Sequence, residues 1–154
     1  MNAALRPAAA GDLPAIVAID QGDDGVGLLP SLYADLLTQA AAGAGLLLVA
    51  DAPEGVVGFS ACSCVLDEAT LLALVVDPRR RGRGIGGALL SASLAALAAG
   101  GASRCLLEVR ASNAPALALY AAAGFREDGR RRGYYPGTGT LDREDAVLMS
   151  RKLE

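Results

Sequence analysis

The stretch Leu74-Val75-Val76-Asp77-Pro78-Arg79-Arg80-Arg81-Gly82-Arg83-Gly84-Ile85-Gly86-Gly87 changes the grammar of the chain. An apolar run reads as a strand that stops at Asp77-Pro78. From Gly84 an alanine- and leucine-rich run continues as a helix to Ala99, where Gly100-Gly101 ends it. Between strand and helix lies a loop of arginine and glycine. Glycines let the backbone approach a ligand closely and tolerate positive φ. A helix N-terminus presents unpaired N–H groups and the positive end of a dipole. With arginines on the approach, residues Arg81, Gly82, Arg83, Gly84, Ile85, Gly86 and Gly87 read as a site for a pyrophosphate.

Gly82-x-Gly84-x-x-Gly87 also spells the dinucleotide-binding pattern GxGxxG, and Glu108 falls near the expected position of its ribose acid. That reading is rejected. In a dinucleotide fold the glycines follow the first strand directly, whereas here five residues, Asp77 to Arg81, intervene. Three strands and two helices also precede the unit.

Working outward, residues 105–110 read as a strand and 113–123 as a helix. Gly124-Phe125 turns into a further strand, and 146–150 is the last, after a glycine-rich loop around Gly137 and Gly139. Upstream, Asp12 is a candidate N-cap with Pro14 in the first turn of a helix carrying Ala15, Ile16 and Ile19. Residues 22–27 are a polar, glycine-rich loop. A second helix spans 30–42 with Leu32, Leu36 and Leu37 on one stripe. Gly43 and Gly45 stop it, and strands at 46–50, 56–66 and 70–76 form an antiparallel meander. The order β-α-α-β-β-β-α-β-α-β-β predicts an α/β (α+β) fold. Its mixed central sheet has an antiparallel N-terminal meander, a parallel central pair and flanking helices, in one domain over 1–154.

Composition narrows the function. The chain has 154 residues, 53% of them hydrophobic, enough for a sizeable core. The net charge of −3 argues against a non-specific nucleic-acid binder. The clusters Arg79-Arg80-Arg81 with Arg83 and Arg130-Arg131-Arg132 remain compatible with a local anion site. The absence of histidine removes Ser-His-Asp and Cys-His machinery and His-based metal sites, and no metal is expected. Cys62, Cys64 and Cys105 make no CxxC or zinc spacing and read as reduced thiols on buried strands. No signal peptide is visible at the N-terminus, and the longest apolar runs are about half the length that spans a bilayer. A soluble cytoplasmic protein without membrane contact is the expectation.

Two further residues stand out. Glu108 lies in the apolar run Leu106-Leu107-Glu108-Val109, where a carboxylate needs a reason. It reads either as a general base or as an exposed strand-end residue paired with Arg110. Tyr120, on the helix after Ala116-Leu117-Ala118-Leu119, reads on pattern alone as core. Asn113 caps that helix ahead of Pro115.

Val75-Val76-Asp77-Pro78 followed by Arg81-x-x-Gly84-x-Gly86 resembles the acetyl-CoA motif of the GNAT family of N-acetyltransferases. Ser112-Asn113, Leu119-Tyr120 and Gly124-Phe125 match the second half of that motif. Residues 66–71 and 107–113, Tyr134-Tyr135-Pro136 and Glu144-Asp145-Ala146 are similar to the RimI-type branch, which acetylates the N-terminal alanine of a small-subunit ribosomal protein. The resemblance covers about the last two-thirds of the chain. It implies acetyl-CoA as co-substrate and direct attack by an amine. The edge of Leu74-Val75-Val76 would hold the pantetheine arm, provided the next strand splays away, and Asn113 would touch the cofactor. Glu108 would be the base, acting through a water, and Tyr120 the acid that protonates the leaving thiolate. The acceptor it implies is a basic protein N-terminus. Tyr134, Tyr135, Glu144 and Asp145 either line its groove or belong to a solvated loop, and the protein is expected to be a monomer or dimer. At the front, the family's aromatic Pro-Trp-Ser loop is replaced by Gly27-Leu28-Leu29-Pro30-Ser31. A small-molecule amine is therefore the alternative acceptor, and a non-catalytic acetyl-CoA-binding module a third reading.

Overall fold

The computed structural model describes residues 3–21, 28, 30–137 and 143–153; the expected loops at 22–27 and around Gly139 lie outside the described residues. The chain runs β1 (Ala4–Pro7), a 3₁₀ turn (Ala10–Asp12), α1 (Leu13–Gln21), α2 (Pro30–Ala41), β2 (Gly45–Ala52), β3 (Gly55–Val65) and β4 (Glu68–Val76). It continues through a second 3₁₀ turn (Pro78–Arg80), α3 (Ile85–Ala99), β5 (Arg104–Arg110), α4 (Ala114–Ala122), β6 (Arg126–Tyr135) and β7 (Glu144–Lys152). The strands form one seven-stranded sheet in the order β1-β2-β3-β4-β5-β7-β6. Among the described strands only β4 and β5 pair in parallel; β2 to β4 form the expected antiparallel meander, and β1 adds to it antiparallel along β2.

The helices divide between the two faces. Ile16 of α1 and Tyr33 and Leu36 of α2 pack with Leu47, Val49, Phe59 and Ala61, so these helices cover β2 to β4. On the other face α3 and α4 bury Leu90, Leu94 and Tyr120 against Leu71, Cys105, Leu107, Val109 and Val147. A buried Ser60–Ser93 hydroxyl pair at 2.7 Å ties α3 to β3, and Ser93 also bonds the Leu89 carbonyl. The face of β5, β7 and β6 opposite α3 and α4 has no helix over it among the described residues. The alternation along β5 shows this. Cys105, Leu107 and Val109 are buried, while Arg104 and Glu108 are exposed and Leu106 and Arg110 half-buried.

The opening in the sheet has a local cause. In the β3–β4 ladder Ala61 faces Ala73 but Cys62 faces Leu71, which leaves Leu72 as an extra residue of β4. Such a bulge bends the strand that carries it. β4 then pairs with β5 only over Glu68–Thr70 against Arg104–Leu106, and the two strands separate beyond that point. The proviso on the Leu74-Val75-Val76 edge is met.

Asp12 corrects a local expectation. It is not an N-cap but the last residue of the 3₁₀ turn. Its carboxylate accepts from the Ala9 N–H at 2.7 Å and takes both Arg6 Nη1 and Nη2, at 2.8 and 2.9 Å. Arg6 Nε also reaches Asp51 Oδ2 at 3.1 Å, so one guanidinium fastens β1, β2 and the start of α1. The Arg6 hydrogen bonds hold the Asp12 carboxyl below the usual carboxylate range. The stability this adds is present above the unfolded value of about 3.9 and is lost as pH falls through the lower folded value. Asp12→Ala is expected to destabilise the fold by about 1–3 kcal/mol at neutral pH. Thermal melts of both proteins should converge as pH drops below about 3.

Candidate active site

The loop between β4 and α3 bends on its glycines and ends at an open helix N-terminus. Gly82 and Gly84 take φ of 79° and 82°, which an L side chain adopts only with strain. Gly84 is the N-cap of α3, and no side chain caps the helix. The first intrahelical bond comes from Ala88 N to Gly84 O at 3.0 Å, so the preceding N–H groups of Ile85, Gly86 and Gly87 have no partner inside the helix. They border a cleft of about 550 Å³. The cleft gathers Leu74, Val75 and Val76 with Arg81, Gly82, Gly84, Ile85, Gly86, Gly87, Asn113 and Tyr120. These are the residues the sequence nominated, with one exception. Arg83 is exposed and does not line the cleft; Arg80, which was not nominated, does, and it pairs with Glu54. Arg81 is oriented by donating from Nε to the Val76 carbonyl at 3.2 Å. Asn113 caps α4, its Oδ1 accepting from Ala116 N at 3.2 Å.

Tyr120 is 8% exposed, and its ring packs edge-on to Phe125 with centroids 5.9 Å apart. Its hydroxyl makes no hydrogen bond among the described residues, yet no described buried polar atom lacks a partner. The hydroxyl therefore opens toward solvent, in the cleft that the residue lines. Burial pushes the phenol up to about 12, with smaller contributions from Cys105, Cys62 and Tyr135. Burial likewise pushes the Cys105 thiol up to about 11 and raises that of Cys62. Both thiols stay protonated at neutral pH. Cys64 is half-buried rather than buried, and all three cysteines are free.

A second cavity, of about 590 Å³, opens on the face not covered by α3 and α4. It is lined by Thr70 to Leu72 of β4, Leu106 to Glu108 of β5, and Asp128, Tyr134 and Tyr135 of β6, with Leu28, Leu148 and Met149. Glu108 is exposed here, so its place in an apolar run needs no special reason: the period of two puts it on the open face. Its partner is Arg131 Nη1, which donates to Oε1 at 3.2 Å, and not Arg110. Arg131 also lies over the Tyr134 ring, 4.7 Å from its centroid. Arg110 instead pairs with Glu144 at 3.3 Å and lies 4.5 Å from the centre of the Tyr135 ring.

Tyr134 and Tyr135 line this cavity, but Glu144 and Asp145 do not. Glu144 accepts from Ser112 N at 2.6 Å, which with Arg110 holds its carboxyl low, and Asp145 accepts from Gly133 N at 3.0 Å. Glu144 thus ties the start of β7 to the end of β5, and Asp145 ties it to β6. Burial raises the Tyr135 phenol, with a further rise from Glu108.

Comparison with known proteins agrees with this architecture. Residues 43–127 match the family described as an acetyltransferase (GNAT) domain. The "[Ribosomal protein bS18]-alanine N-acetyltransferase" of Escherichia coli (strain K12) is 48% identical over 92 residues, 60% of this chain and 61% of that protein. The match thus spans less than two-thirds of that relative's length. The Salmonella typhimurium (strain LT2) protein of the same name is 44% identical over 105 residues, 68% of each chain. The crystal structure of the Escherichia coli ribosomal-protein-S18-alanine N-acetyltransferase superposes with a TM-score of 0.84 at 34% identity, covering 99% of this chain and 94% of that one. The dinucleotide reading is thereby excluded, and the chain belongs to the GNAT family of acetyltransferases.

Proposed function

We propose that the protein transfers the acetyl group of acetyl-CoA to the N-terminal α-amine of a ribosomal protein, with alanine as the receiving residue. One observation carries the reading. β4 and β5 part just beyond Thr70 and Leu106, and the parting has a phosphate-loop cleft on one face and a carboxylate-bearing cavity on the other. Pyrophosphate fits the free N–H groups of α3 and the Arg81 guanidinium. The pantetheine arm fits the unpaired edge of Leu74-Val75-Val76, where a backbone N–H would polarise the thioester carbonyl.

In this mechanism the amine nitrogen attacks the thioester carbon directly. Glu108 takes the amine proton through a water. The C–S bond breaks, and the departing sulfur takes a proton from Tyr120. The α-amine has a reference pKa of about 7.7–8.0, so modest assistance suffices. A cysteinyl intermediate does not suit the site, because Cys62 and Cys105 are held as thiols by burial. The named acceptor of the relatives supports the substrate class.

Free-thiol release from acetyl-CoA tests the reading, with a peptide copying the ribosomal protein's N-terminus beside a panel of small amines. Turnover with the peptide and not with the amines is expected. Turnover with a small amine alone would keep the chemistry and overturn the acceptor. Cofactor binding without any turnover would overturn the catalytic reading.

A further inference from the structure

A third groove, of about 760 Å³, lies beyond the acceptor cavity and belongs to neither site above. Arg104, Arg126, Arg151 and Lys152 line it, with the hydroxyls of Ser91 and Ser150 and a single carboxylate, Asp128. The chain as a whole is acidic, at −3. Most of its other arginines have carboxylate partners: Arg6, Arg79, Arg80, Arg110, Arg130 and Arg131 are all in ion pairs. None of the four groove cations is in an ion pair among the described residues. Arg104 Nη2 is oriented by Ser150 Oγ at 3.1 Å, and Arg151 Nη1 by the Ala123 carbonyl at 2.9 Å.

Strand register places this charge relative to the acceptor cavity. Arg104 faces Lys152, Glu108 faces Leu148, and Ser150 lies between Leu106 and Arg126. Arg104, Lys152 and Arg126 therefore project from the uncovered face that carries Glu108, while Arg151 alternates to the other face and Ser91 belongs to α3 there, so the groove lies where the two faces meet at the strand ends. Asp128 lines both hollows, so the groove borders the cavity that holds Glu108. From Glu108 back to Arg104 is four residues of strand, about 13 Å.

We propose that this groove binds the phosphate backbone of RNA carrying the acceptor, which presents its N-terminus to Glu108 from that distance. The inference rests on the ribosomal-protein reading above. Unpaired arginines and hydroxyl donors spread over the ends of three strands suit successive phosphates. The groove has no aromatic residue among the described residues that line it, so these offer no stacking platform and would bind without regard to base sequence. A net charge of −3 averages over the surface and does not report this local face.

The test uses the full chain and a short fluorescein-labelled RNA hairpin, read by anisotropy at low salt. Binding is expected to weaken steeply with salt, with a log–log slope of about −2 to −3 for three or four phosphate contacts. Arg126→Ala combined with Lys152→Ala is expected to weaken it about tenfold or more. Unchanged affinity in the double variant overturns the proposal. So does displacement of the RNA by poly-glutamate of equal charge at equal or lower concentration, which would hand the groove to an acidic protein. In a second arm, the parent should acetylate the acceptor protein on its RNA with a lower KM than the free peptide. The double variant should lose that advantage and keep the parent's rate on the peptide. Loss of peptide turnover in the parent would sink the acceptor assignment alone, because RNA binding is read separately.

Discussion

Glu108→Gln is expected to lower kcat by about 10²–10⁴-fold and to leave the dissociation constant for acetyl-CoA unchanged. The split follows from position. Glu108 lines the acceptor cavity and has no place in the cleft around Arg81 and the α3 N-terminus. Glutamine keeps the shape and can still accept from Arg131, so the fold should not notice the change. What it loses is the capacity to take a proton. The variant's rate should therefore climb with pH through about 8, as the amine loses its proton to solvent without help. A variant whose kcat matches the parent at every pH would remove Glu108 from the reaction.

Tyr120→Phe is expected to slow thiol release by about 10²-fold without lowering the melting temperature. The hydroxyl has no hydrogen-bond partner to lose among the described residues, and the ring, with its edge contact to Phe125, remains. Burial raises the Tyr120 phenol, which alone would make it a poor donor to a thiolate in water. In the proposed reaction a coenzyme sulfur beside it would also be desolvated, which would raise its own affinity for the proton. A variant that loses stability but keeps its rate of thiol release would return Tyr120 to the role of a core aromatic.

The loop proposed to take phosphate was legible because its signal is local: glycines, arginines and a strand-to-helix change within fourteen residues, Leu74 to Gly87. The strand order followed from hydrophobic period and turn residues, and the observed elements begin and end within a few residues of the expected ones. Asp12 was misplaced because its partners, Arg6 and the Ala9 N–H, are chosen by the way β1 meets the first turn. Arg131 as the partner of Glu108 depends on β6 and β7 pairing at the far edge of the sheet, a contact across 23 residues. The exposure of Glu108 was readable in principle. Arg104, Leu106, Glu108 and Arg110 alternate with Cys105, Leu107 and Val109, and that period of two marks an open face. Only three-dimensional placement distinguishes Arg80, in the cleft, from Arg83, outside it.

The parting of β4 from β5 has one more consequence. Because its two hollows face opposite sides of the sheet, the sheet acts as a bulkhead with a port through it. In the proposed reaction the donor would dock from one side and the acceptor from the other, and only two carbons would cross. Neither passenger need vacate for the other to board, which favours a ternary complex over a ping-pong cycle. The bulk of the cargo on the acceptor side is likewise uncoupled from the coenzyme's berth, so a particle far larger than this enzyme could be served through the same opening.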